Sequence, residues 1–150
     1  GWAVYVENLS YGYAAQLTKN EEAAAYIEAC RLNRNLHLCL YSYMDIAIHY
    51  DGATPEQIGR FLENLGLGQH TNVETIYEYL VEEPCNYLKY YLGYLEFLSL
   101  KQQAEELWGT DYSDYRFHKF VLETGPSDFR SLGELVTAHP YPGQNFGNQS

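Results

Sequence analysis

Basic side chains are scarce in this chain: lysine and arginine number nine against 20 aspartates and glutamates, a formal net charge of −11. That balance argues against nucleic acid, whose phosphates are bound by basic patches, and it disfavours anionic membrane surfaces. Cysteine is also sparse. Cys30, Cys39 and Cys85 are odd in number and form no CxxC pair, which speaks against a disulfide framework or a thiolate zinc site and for reduced core thiols. No apolar run reaches the ~18 residues of a membrane span and no secretion signal is visible, so a cytoplasmic location is the expectation. HExxH, the Glu-x-x-His pair of di-iron bundles and HxH are all missing, and with them any metal-ligand spacing. So are the Gly-x-Ser-x-Gly elbow and a phosphate-cradling glycine loop, which removes serine-hydrolase and nucleotide-binding readings. No strand pattern and no fixed-period repeat appears.

What remains is a helical pattern. The length of 150 residues suits one domain able to bury a real core, and a hydrophobic content of 46% is not that of a disordered chain. The 16 tyrosines suit a core interleaved with polar contacts, or a cleft wall, because each buries a large ring and still offers a hydroxyl. The expected fold is all-α: an irregular helical bundle with two long central helices, at about 20–50 and 84–108, and several shorter ones. Helical organisation is expected over 1–138, with an irregular tail over 139–150 rich in Pro, Gly, Asn and Gln.

Start and stop signals place the elements. Trp2, Tyr5, Val6, Leu9 and Tyr13 recur at helical spacing in a first helix. Thr18 and Glu21 read as a capping box for the long helix, which should stop at Asp51-Gly52. Thr54-Pro-Glu-Gln57 combines a cap, a proline at the first helical position and a reciprocal glutamine, and Thr71-Asn-Val-Glu74 repeats the device. Pro84 forces a boundary, with Glu82 and Glu83 suited to the first turn that follows. Leu88, Tyr91, Leu92, Leu95 and Leu98 are the expected core stripe of the second long helix. Gly93 in its middle predicts close approach by a neighbour, with the helix bearing Asp45 as the candidate. Ser113 and Ser127 should cap two final helices.

The long helix is apolar nearly all round between Leu36 and Ile48, and its exceptions share a side. At about 100° per residue, Arg31, Arg34, Leu38, Tyr41, Asp45 and His49 fall on one strip. Burying such groups unpaired costs several kcal/mol per ion, so the strip should face counter-charges in an internal ion-pair network, or a wet cleft. Asp45 and His49 stand at i, i+4, where a carboxylate can orient an imidazole. His37, His70 and His139 read as surface, cap or tail residues.

Four stretches taken together resemble one family: Gly1-Trp-Ala-Val-Tyr-Val-Glu7; Asp45-Ile-Ala-Ile-His49 followed by Gly52-Ala-Thr-Pro-Glu-Gln57; Pro84 through Tyr90 to Gly93; and Phe117-His118 through Gly125-Pro126. In order and spacing they resemble the carboxy-terminal part of the bacterial DUF885 family, over about residues 1–137. The resemblance implies a zincin-like metallopeptidase in which an upstream HE...GHH motif and a glutamate just before the Gly-Trp pair bind zinc. The chain would then be a fragment severed right after a metal ligand. On that resemblance Asp45, His49 and Tyr90 are catalytic candidates, with Tyr90 polarising the scissile carbonyl. Arg34 and His118 are substrate-binding candidates, and Glu7 supports the lost ligand from the same helix face. Cys85, Tyr87 and Lys89 depart from the family's small or polar residues.

The expectation is therefore the cleft-lining part of a zinc-dependent peptidase, inactive by itself, with no metal or other cofactor of its own and zinc in the intact parent. Its partners would be a peptide substrate and the missing amino-terminal half. A severed half should expose a broad apolar face, at the Gly1 end or along the polar strip, which leaves self-association open. The alternative is a non-catalytic helical interaction domain whose strip is purely structural.

Overall fold

The computed structural model describes residues 1–138, and the expected tail over 139–150 lies outside them. Among the described residues the chain is all-α: α1 (Trp2–Leu17), α2 (Glu21–His49), α3 (Pro55–Asn64), α4 (Val73–Glu82), α5 (Asn86–Trp108), α6 (Asp114–Thr124) and α7 (Phe129–Ala138), with 3-10 turns at Gly68–His70 and Gly109–Asp111. The two long helices have 29 and 23 residues. The chain divides into two compact units, Gly1–Tyr94 and Leu95–Ser150.

In the first unit α2 is the rod against which α1 and α4 pack. Its cap differs from the expected Thr18–Glu21 box. The Asn20 side chain accepts hydrogen bonds from the backbone N–H groups of Glu22 (2.9 Å) and Ala23 (3.3 Å), because an asparagine directly before the first turn reaches those donors without looping back. Asn72 likewise replaces Thr71 at the start of α4 by accepting from Thr75 N–H, while the Thr71 hydroxyl donates to the Leu67 carbonyl. At α3 the reciprocal box forms as expected: Gln57 N–H donates to Thr54 Oγ1 and Thr54 N–H to Gln57 Oε1. Met44, Ile48, Ile58, Leu62 and Leu80 then close a core between α2, α3 and α4.

The first unit also contains the start of α5. Helix α4 ends at Glu82 and α5 opens at Asn86, so the helix begins after Pro84 and has no acidic residue in its first turn. Gly93 is packed as expected but against a different partner. A Cβ on Gly93 would stand 2.9 Å from the Gly1 Cα, and one on Gly1 would stand 2.5 Å from the Gly93 carbonyl carbon. The start of α1, and not α2, makes the close approach.

The second unit is built from the rest of α5 with α6 and α7. Phe97, Leu100, Ala104 and Trp108 are its buried line on α5, whereas the expected core leucines Leu92, Leu95 and Leu98 are exposed. Two apolar rows, one of leucines and one of aromatic residues, adjoin on the helix, and neither is buried as a whole: Tyr94 and Phe97 are buried, whereas Tyr90 is exposed. Phe97 meets Phe129 edge-on, and Trp108 meets Phe120. Ser113 caps α6 by accepting from Arg116 N–H, and Gly125 stops it at φ 77°. At α7 Asp128, not Ser127, accepts from Ser131 N–H.

Candidate functional site

The polar strip of α2 forms, and it divides into three parts. At its amino-terminal end Arg31 is held by Glu28, with Nη2 2.5 Å from Oε1, and it also donates to Asn8 on α1. Asn8 and Asn35 exchange hydrogen bonds. Arg34, the expected carboxylate clamp, donates from Nε to Glu7 Oε1 at 3.2 Å. Glu7 is thus tied to Arg34, an arrangement the sequence reading did not foresee.

The middle is aromatic. Tyr41 stacks on His37 and meets Tyr87 with ring centroids 4.5 Å apart. Tyr87 in turn lies edge-on to Tyr79 and shares a hydrogen bond with it. Burial first, then that hydrogen bond, pushes the Tyr87 phenol up to about 12. Burial also raises Tyr41. Tyr79 escaped the sequence reading because it lies on a short helix with no distinguishing neighbour. The abundance of tyrosine was the only available signal.

The carboxy-terminal end carries Asp45 and His49. Asp45 is fully buried, and neither carboxylate oxygen has a hydrogen-bond partner. Its Oδ1 lies 3.6 Å from His49 Nε2, and the same nitrogen is 3.0 Å from the Leu80 carbonyl oxygen. A ring nitrogen facing two acceptors carries the proton, so the neutral ring presents a bare Nδ1. Ser42, one turn back, has a buried hydroxyl that is also unpartnered. A buried carboxylate beside an imidazole is the arrangement that stabilises an imidazolium after proton uptake.

The remaining candidates stand elsewhere. Tyr90 on α5 is 41% exposed, with the Lys89 ammonium 5.5 Å from its ring centroid. His118 belongs to the second unit, on α6, with its ring against Phe117. Burial lowers its pKa below 6.5, opposed by the charge of Asp114 and assisted by that of Lys101. Asp114 is itself held low by Tyr112 and Lys101. The zinc that the resemblance implies has no donor set here: Asp45 and His49 supply two ligands, and among the described residues no three of His, Cys, Asp and Glu are grouped to hold a metal.

An all-α chain whose longest helix carries a buried acid beside an exposed imidazole, paired arginines and one member of a tyrosine cluster is what the fold and this region define. Residues 1–136 match the model of the DUF885 family, described as bacterial proteins of unknown function. The chain belongs to that family. No curated protein and no solved structure matches it.

Proposed function

We propose that the chain is the carboxy-terminal, cleft-lining part of a zincin-like peptide hydrolase of the DUF885 family. The observation that carries this reading is Asp45: a carboxylate sealed from water, with both oxygens unpartnered, beside an imidazole. A fold under no functional demand has little reason to retain such a group, since burying a carboxyl whose oxygens lack hydrogen bonds is costly and an apolar isostere would avoid the cost.

In this reading Asp45 holds His49 with Nε2 protonated and Nδ1 ready to accept a proton. The Tyr90 hydroxyl, which has no hydrogen-bond partner among the described residues, is the donor for a developing oxyanion. Arg34, in the first unit, is the candidate for holding a substrate carboxylate, and His118, in the second unit, is kept as a separate candidate substrate contact. Zinc, when bound, would supply Lewis-acid polarisation of the carbonyl, and its full ligand set would have to come from beyond the described residues. The chain by itself is then inactive.

A second reading is a helical interaction domain. It is favoured by one observation: Arg31 and Arg34 are both paired within the chain, as a structural network requires. The two readings separate on a longer protein carrying this segment. Stoichiometric zinc, peptide cleavage, and at least a hundredfold loss of kcat in Tyr90→Phe and Asp45→Asn support the hydrolase. Unchanged turnover in both variants removes the site, and absence of any peptidase activity leaves the interaction domain.

A further inference from the structure

Three buried polar atoms on α2 have no hydrogen-bond partner: the Ser42 hydroxyl oxygen and both carboxyl oxygens of Asp45. Ser42 is 4% exposed and Asp45 0%, so bulk solvent reaches neither. Buried polar atoms are as a rule satisfied by protein groups or by an enclosed water. Protein groups do not satisfy these. The His49 Nε2 atom stands 3.6 Å from Asp45 Oδ1 but only 3.0 Å from the Leu80 carbonyl oxygen, so its proton is directed to Leu80.

The three atoms belong to one place. Ser42 and Asp45 are buried on α2 at i, i+3, a spacing that sets their Cβ atoms about 5–6 Å apart. Helical side chains lean toward the amino terminus, so the Asp45 carboxyl group tilts back over the turn that carries Ser42. The two groups are nevertheless not bonded to each other. A separation too long for one hydrogen bond and close to the sum of two, at about 2.8 Å each, is one that a single water spans. Ser42 is also the smallest of the buried side chains on α2, beside Leu38, Met44 and Ile48, so no long or branched residue at position 42 fills the space next to the carboxyl group.

Their chemistry matches as well. A carboxylate oxygen only accepts hydrogen bonds, whereas a hydroxyl both donates and accepts. A water between them accepts from the Ser42 hydroxyl and donates to Asp45 Oδ2, while Oδ1 stays turned toward His49. One water gives the carboxyl group only part of the hydration it has in bulk solvent, so Asp45 remains costlier at this place than an apolar side chain.

We propose that an enclosed water joins Ser42 to Asp45, and that Ser42 is through it a positioning residue, holding the carboxyl group beside the His49 ring. The carboxyl group so held favours the ring form with its proton on Nε2, since the partners of an imidazole decide which nitrogen is protonated. The use of that ring in catalysis rests on the hydrolase reading. The water and the hold on the ring do not, because both are tested on the 150-residue chain without peptide cleavage.

A crystal structure of the chain should show one water within about 3.2 Å of both Ser42 Oγ and an Asp45 carboxyl oxygen. No water between them, or a Ser42 hydroxyl bonded to a main-chain carbonyl of its own helix instead, would overturn the site. The hold on the ring is read from the nitrogen chemical shifts of His49 at about pH 8, above the ordinary range of imidazole titration. Ser42→Ala should change the ratio of the two neutral ring forms by about twofold or more, and Ser42→Thr, which keeps the hydroxyl, should restore the ratio of the parent chain. An unchanged ratio in Ser42→Ala, or an equal change in both variants, would remove the positioning role. The crystallographic result decides even where a variant fails to fold.

Discussion

Gly1 and Gly93 meet backbone to backbone, with no room for a methyl group on either. The contact fixes the start of α1 against the first half of α5. Gly93→Ala should therefore destabilise the fold although alanine is the better helix former. The propensity gain is about 1 kcal/mol, whereas forcing a carbon into packed backbone costs about 1–3 kcal/mol. A melting temperature raised by the substitution would show that the two helices do not touch.

Asp45 gives a prediction of opposite sign. Its carboxyl oxygens are buried without a hydrogen-bond partner, so Asp45→Asn replaces a carboxyl group by a less strongly hydrated amide in a place that solvates neither well. Urea unfolding of the variant should show a gain on the order of 1 kcal/mol. A loss of stability instead would mean that the carboxylate is already satisfied.

Acidification should weaken the second unit in two stages. Burial lowers the folded pKa of His118 below its ordinary value of 6.5, so the unfolded chain binds the proton first. The contribution is complete above pH 6.5 and disappears as pH falls through the lowered value. Asp114 follows from its ordinary 3.8 downward, since Tyr112 and then Lys101 hold its carboxylate ionised. Thermal unfolding monitored from pH 8 to pH 3 should lose stability over both windows. His118→Gln should flatten the upper one and Asp114→Asn the lower.

Cys85 has φ 62°, in the left-handed region that side chains avoid. Cys85→Gly relieves that conformation at the price of a more flexible unfolded chain, and the left-handed penalty of about 1–2 kcal/mol is the larger. The variant should melt at the same temperature or higher, and a fall of several degrees would show that the thiol makes a contact worth more than the strain.

Helices were legible in this sequence because their boundaries rest on local chemistry. Thr54 with Gln57, Ser113 with Gly125, and the break at Gly52 all act within a turn of themselves. Where two local devices competed, the nearer one took the position: Asn20 over Thr18, Asn72 over Thr71, Asp128 over Ser127. The burial of α5 was not legible in the same way. Two apolar rows lie side by side, and only tertiary packing chooses Phe97 and Trp108 over Leu95 and Leu98. The strip on α2 was visible from periodicity, but its partners were not. Glu7 and Asn8 lie on another helix, and no spacing along the chain reveals that Arg34 will find one of them.

The tyrosine cluster has a consequence for how the wall beside Asp45 responds to its surroundings. With the Tyr87 phenol pushed up to about 12 and Tyr41 raised by burial, these two hydroxyls stay neutral at any pH a cell experiences. They remain proton donors with no switchable charge, so that stretch of the wall offers hydrogen bonds whose strength does not follow pH.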